Sequence, residues 1–373
     1  MIKITVVMIV CVILAYYSEK RTNEIRSRGH RYSISDDPAY LALAVVLVLF
    51  AGLRRSYNDT WTYISGFQSM PGIVEYLSDP EHWNPFKNPL FYIYESLLRG
   101  LTDNAQWLIF SCSAVTQICF LRFFKRYSHN FTFTIFIYFA LGTINVSLAA
   151  MKQVLAMAIV TLAFPCLERK QWGRYYAIVL VAMLVHTYAL AYAVLPLFAK
   201  RPWKMFTYLF VACLAVLMLN FREAISAFMD QAEELGKKLY DEEIFDENTI
   251  NIFRLAVYAV GPLISFLFSK WIFRDSRKID HVLVHMSIIS FAFMVMGTQS
   301  GANMFARMAH YFEIATACCL PWMLKQTFNR RSYRLVTTLA VFCFLGFFVY
   351  ANGISSSFDN AYQATSITKL LFP

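Results

Sequence analysis

Gly52-Leu53-Arg54-Arg55-Ser56-Tyr57-Asn58-Asp59-Thr60-Trp61-Thr62-Tyr63 is the stretch from which the fold reads most directly. An apolar run ends at Leu53, and two arginines, a carboxylate and three aromatic residues follow at once. Runs of this kind, about 16 to 20 residues long, recur along the whole chain, the length a helix needs to cross a bilayer. Only 16% of the residues are charged and 58% are hydrophobic, whereas a soluble domain carries about 25% charged residues. The chain therefore reads as an all-α polytopic membrane protein, a single transmembrane domain over 1–373 with about ten crossings plus interfacial or re-entrant segments. Repeated helical runs with few strand-like alternations argue against a barrel. The net charge of +10 is no nucleic-acid signal, because the basic residues form short clusters between apolar runs, as the positive-inside rule describes.

Those clusters orient the chain. A first helix over 2–17 reads as retained, with no small-residue cleavage site after it. The segment 18–37 carries Lys20, Arg21, Arg26, Arg28 and Arg31 and reads as cytoplasmic, which puts the amino terminus outside. The helix over 39–53 then delivers the opening stretch to the outer face. An external loop over 54–104 follows, with short interfacial helices over 59–77 broken at Pro71-Gly72. A segment over 89–101, too short to span, contains Glu95 and Arg99, whose spacing of four suits a local ion pair. Further crossings read over 105–121, 131–148, 150–167, 205–221, 251–269, 281–297, 305–324 and 335–352. The turn near 143–150 and an acidic loop over 222–250, with nine acidic and three basic residues, fall outside, as does the carboxyl terminus. The run 175–198 is flanked by cytoplasmic charge on both sides. It reads as entering and returning in two halves, broken near His186-Thr187, as backbone does where it lines a cavity.

The eight cysteines all lie in apolar stretches without a C-x-x-C pair, so they read as packing residues and give no zinc site or disulfide framework. No Walker loop, G-x-S-x-G or metal-ligand spacing appears.

Ionisable groups at membrane depth are functional suspects by default. Lys152 and Gln153 open the helix over 150–167. Arg307 opens the helix over 305–324, with His310 and Tyr311 on the same face; Glu313, six residues on, faces elsewhere. Arg54, Asp59, Lys152 and Arg307 fall near the outer face, and His186 would be approached from the inner side. Cations so gathered suit a phosphate-bearing lipid, arginine as a bidentate donor and lysine as a point charge; snorkelling to the interface is the plainer alternative for each. Asp59 or His186 suits a general base, although Asp59 could simply cap the helix starting at Thr60 and His186 could be a hydrogen-bonded core histidine.

The pattern resembles the EpsG family of bacterial membrane proteins, within the Wzy-type polysaccharide polymerases. Four places carry the resemblance: Gly52-Leu53-Arg54 followed by Asp59 and Tyr63; Met151-Lys152-Gln153 with Ala156; His186-Thr187-Tyr188-Ala189; and Arg307 with Tyr311-Phe312. Lys152 stands where the family usually has arginine, and Tyr188 where serine is usual. The resemblance implies a GT-C-like fold and an oligosaccharide repeat-unit polymerase that joins undecaprenyl-diphosphate-linked units at the outer face of a bacterial inner membrane, without cofactor, metal or nucleotide sugar. Its products would be O-antigen, capsule or exopolysaccharide. Its partners would be the lipid-linked oligosaccharide, the bilayer and a chain-length regulator. Arg54, Arg55, Tyr63, Lys152, Gln153, Arg307 and Tyr311 would hold the diphosphate and substrate, and Asp59 or His186 would take the acceptor's proton. A flippase or transporter of lipid-linked glycan and an O-antigen ligase are the rival readings.

Overall fold

The computed structural model describes residues 1–220, 223, 226, 227, 230, 231, 248–299 and 301–371. Most of the acidic loop over 222–250 lies outside the described residues. The fold is all-α, with a helix at each of the ten positions read as crossings. Among the described residues, five helices are long and apolar enough to cross a membrane: Ile2–Ser27, Gln106–Tyr127, Met151–Glu168, Lys278–Met296 and Arg330–Ile354.

Several boundaries differ from the sequence reading, each for a local reason. The first helix runs on to Ser27 rather than stopping near Tyr17. Charge ends a membrane crossing, but it does not end a helix. Residues 18–27 are ordinary helix formers, and termination waits for Gly29, whose φ of +76° lies in the left-handed region that glycine enters without strain. Helix Pro38–Gly52 starts where Asp37 accepts from the Tyr40 backbone amide at 3.0 Å and Pro38 occupies the first turn, both ordinary helix-start devices. The crossing over 131–148 is a bent pair, Phe131–Ala140 and Thr143–Ala149, meeting at 56°. Gly142, at φ +89°, makes that bend. The next helix begins at Met151.

Short helices Thr60–Ser69 and Ile73–Ser78 flank Pro71-Gly72, and Pro89–Arg99 forms the short segment after them. The run read as re-entrant breaks at His186. Helix Trp172–Val185 ends there, His186 is extended, and a 3₁₀ helix Thr187–Ala199 packs back along it. A 3₁₀ helix rises about 2.0 Å per residue, so this 13-residue arm returns roughly 26 Å, a distance an α-helix would need about 17 residues to cover.

The carboxyl-terminal tail folds onto the opening stretch. Gln363–Ala364 pairs antiparallel with Arg54–Ser56, and the Tyr362 hydroxyl donates to the Phe50 carbonyl at 2.6 Å. The Asp359 carboxylate meets the Met1 amino group at 2.9 Å and accepts from the Ile2 and Lys3 amides. At the opposite end lie polar ties among the basic clusters: Lys125 bonds Ser18 at 2.5 Å beside buried Asp37, and Arg126 pairs with Glu168 at 2.7 Å.

Candidate functional site

Two polar cavities open beneath the short helices. The smaller, about 390 Å³, is walled by Asp59, Tyr63, Asn88, Tyr92, Glu95, Lys152, Gln153, His186 and Arg307. Six of the residues singled out in the sequence meet there: Asp59, Tyr63, Lys152, Gln153, His186 and Arg307. The larger, about 830 Å³, lies alongside and shares Asp59, Ala150, Gln153 and Arg307 with it.

Each side chain is positioned by a definable local feature. Asp59 precedes helix Thr60–Ser69, yet its side chain makes no capping bond. Capping therefore does not explain it, and the exposed carboxylate lies on the wall of both cavities. Tyr63, one turn further on, has its hydroxyl 3.4 Å from the Lys152 backbone amide.

Lys152 is in the first turn of Met151–Thr161. Its ammonium donates to the Tyr92 hydroxyl at 3.0 Å and lies 4.8 Å from the Tyr92 ring centroid and 5.5 Å from that of Phe91. An aromatic cradle of this kind holds a cation without neutralising it. Ala150 borders both cavities, so the amino end of this helix opens at their junction. The helix dipole favours an anion there. Gln153 donates to the Arg307 carbonyl at 2.8 Å, which ties that helix to Ala302–Thr327, the bearer of Arg307.

His186 reaches the same cavity as Lys152 and Arg307. The sequence reading had it approached from the inner side, away from those cations. The tip of the returning segment meets them in that cavity, and the chain holds it there. Asn88, in the left-handed region at φ +58°, accepts from the Thr187 amide at 3.0 Å and the Thr187 hydroxyl at 3.1 Å. His186 Nδ1 is hydrogen-bonded to the Tyr311 hydroxyl at 2.6 Å. Tyr311 thus supports the histidine instead of joining Arg307 on the cavity wall.

Arg54 and Arg55 are not among the wall residues of either cavity. Arg54 is fully buried. One of its nitrogens donates to the Ala51 carbonyl at 2.6 Å and to Ser113 at 2.7 Å, while Nε and Nη2 have no partner among the described residues. Burial pulls its guanidinium down to about 10, still charged at neutral pH, and Tyr63 and Tyr362 are its neighbours. Arg55 is exposed.

Glu95 is the wall residue that the sequence reading explained away. Its expected partner, Arg99, pairs instead with Asp103. Glu95 is 3% exposed, and burial lifts its carboxyl to about 7 against the pull of Lys152. A carboxyl poised there can hold or release a proton near neutral pH. A carboxylate in an apolar, sub-spanning segment was the available signal; the i,i+4 arginine masked it.

A many-helix membrane scaffold enclosing a chamber lined by cations, an imidazole and carboxyl groups defines a polytopic all-α membrane protein with an internal polar site. The chain belongs to the EpsG family, a family of Wzy-type polysaccharide-polymerase-like membrane proteins: the family model matches residues 39–365, a range that contains every wall residue of both cavities. No curated protein and no solved structure matches the chain.

Proposed function

We propose that the protein is a membrane glycosyltransferase of GT-C-like type that polymerises undecaprenyl-diphosphate-linked oligosaccharide repeat units into a surface polysaccharide, at the outer face of a bacterial inner membrane with both termini outside. The observation that carries this reading is the smaller cavity, where Lys152 at a helix amino end and Arg307 converge from separate parts of the chain. Fixed cations of this kind suit a diphosphate and stabilise it most as it departs, when its charge grows. Arg307 supplies the forked donor, Lys152 the point charge, and Gln153 and Tyr63 set their positions. His186, steadied through Nδ1 by Tyr311, faces the leaving group. Asp59, shared by both cavities, orients the incoming hydroxyl. Arg54 supports this wall from behind. The acceptor is the terminal sugar of a second lipid-linked unit, and the product leaves undecaprenyl diphosphate behind.

The test is polymerisation of lipid-linked repeat units by purified protein in liposomes. Arg307→Ala and Lys152→Ala are each expected to slow chain growth about 10²–10³-fold, the scale for removing one such electrostatic donor, with the thermal transition unchanged. Lys152→Arg should retain most activity. Normal chain length in both alanine variants would remove the diphosphate site from this cavity. Lipid movement without chain growth would make the protein a flippase, and transfer to a lipid A core without elongation a ligase.

A further inference from the structure

The larger cavity holds a set of residues that the diphosphate reading leaves unused. Glu313 is fully buried on Ala302–Thr327. It lies 2.6 Å from His310 Nδ1, one turn back, and accepts from the Tyr258 hydroxyl on helix Ile252–Leu267. Its second oxygen, Oε1, has no partner among the described residues. The sequence reading had Glu313 turned away from Arg307. It is turned away, but onto the histidine that stands beside Arg307.

A carboxylate on Nδ1–H fixes the imidazole tautomer and leaves the Nε2 lone pair available. His310 lines the larger cavity, and its Nε2 has no hydrogen-bond partner among the described residues. The groups that face His310 are Glu313 and Arg307 on its own helix, Tyr258 and Arg254 on the helix packed against it, and Asp59 on the shared wall. Elsewhere the lining is rich in amides and hydroxyls, including Tyr57, Asn145, Asn303 and Tyr350. The buried Asn145 Oδ1 has no partner among the described residues. Alongside the Arg254 and Arg307 guanidiniums and the Asp59 carboxylate, these neutral donors and acceptors suit the hydroxyls of a sugar.

Resting on the polymerase reading above, we propose that the larger cavity is the acceptor-sugar site, and that His310, oriented by Glu313, is the base that activates the acceptor hydroxyl. The hydroxyl oxygen attacks the donor's anomeric carbon across the junction formed by Asp59, Gln153 and Arg307. The new glycosidic bond forms as the bond from that carbon to the diphosphate oxygen breaks. The acceptor proton goes to His310 Nε2, the bond's electron pair leaves with the lipid diphosphate, and His310 then returns its proton to solvent or product. Asp59 is the less suitable base: it is exposed, and no described residue orients its carboxylate, whereas an activating base is held by a third group. Glu313 and Tyr258 are positioning residues, acting through His310.

The same liposome assay tests this, with donor and acceptor units supplied separately. His310→Ala is expected to lower the rate about 10²–10⁴-fold, the usual contribution of a general base, and added imidazole should restore part of it. His310→Gln, which keeps a donor for Glu313, should be equally slow and serves if His310→Ala does not fold. Glu313→Gln should lower kcat with little change in the acceptor's KM. Wild-type rates in either His310 variant, or no rescue of folded His310→Ala at any imidazole concentration, would overturn the assignment. So would a Glu313→Gln variant altered only in KM. These results are separable from failure of the polymerase reading itself, in which the wild-type protein would make no polymer.

Discussion

The two cavities share Asp59, Gln153 and Arg307, yet they are built from different material. The smaller presents an ammonium, a guanidinium and a helix amino end. The larger adds the Arg254 guanidinium to the shared Arg307 and is otherwise a polar basin of amides and hydroxyls, with His310 on its wall backed by the buried Glu313. The contrast teaches that a cation's chemistry depends on what stands opposite it. Arg54 and Arg307 look alike in sequence, each following or opening an apolar run. In the fold, one is packed solid behind a wall and the other forms part of two walls.

Exchanging side chains tests that contrast, and the largest effect belongs to Arg54. Arg54→Ala should destabilise the fold by about 3–5 kcal/mol, the scale for emptying a large buried side chain, read as a lowered thermal transition in detergent. Arg54→Met fills the same space without a charge and should recover most of that stability together with polymerising activity. A stable but inactive Arg54→Met would place Arg54 in the substrate site and erase its distinction from Arg307.

Glu95 comes next. Its carboxyl is lifted from 4.5 to about 7 by burial, so the proton binds more tightly in the folded state than in the unfolded one. The stability this contributes is fully present below about pH 4.5 and is lost as pH rises through 7. Glu95→Gln should therefore flatten the pH dependence of the thermal transition between those values. Above pH 7 it should leave the variant more stable than wild type by about 3 kcal/mol. An unchanged pH profile would mean that Glu95 does not titrate from within the smaller cavity.

The smallest effect is expected at Asn303, an exposed residue on the larger cavity's wall. Asn303→Ala should raise the acceptor's KM several-fold, equivalent to about 1 kcal/mol, with donor kinetics unchanged. An effect on the donor alone would reverse the assignment of the two cavities.

Much of this architecture was legible in the chain. Apolar run lengths located the helices, and the positive-inside bias required residues 175–198 to turn back, which they do at His186. Four short motifs pointed to residues that do meet in one cavity. What could not be read depends on distant contacts. Charge marked the end of the first crossing but not of its helix, which continued to Gly29. The spacing of Glu95 and Arg99 suggested a pair, but Asp103 competed for the arginine and left the glutamate to the cavity. Periodicity turned Glu313 away from Arg307 correctly, yet could not show that His310 and Tyr258 would converge on it. Nor could helix geometry reveal that Asn88, nearly a hundred residues upstream, would hold the tip bearing His186.

The tail that pairs with Arg54–Ser56 and reaches the first amides through Asp359 has a topological consequence. Because Met1 and Asp359 are clasped together on one face, the stretch between them must cross its bilayer an even number of times. If all ten helices read as crossings span, that parity is met with the segment 172–199 counted as two half-passes and not as one. Any gain or loss of a single span would pull the ends to opposite sides and open the clasp. The contact of Asp359 with Met1 therefore acts as a parity check on the insertion of everything between them.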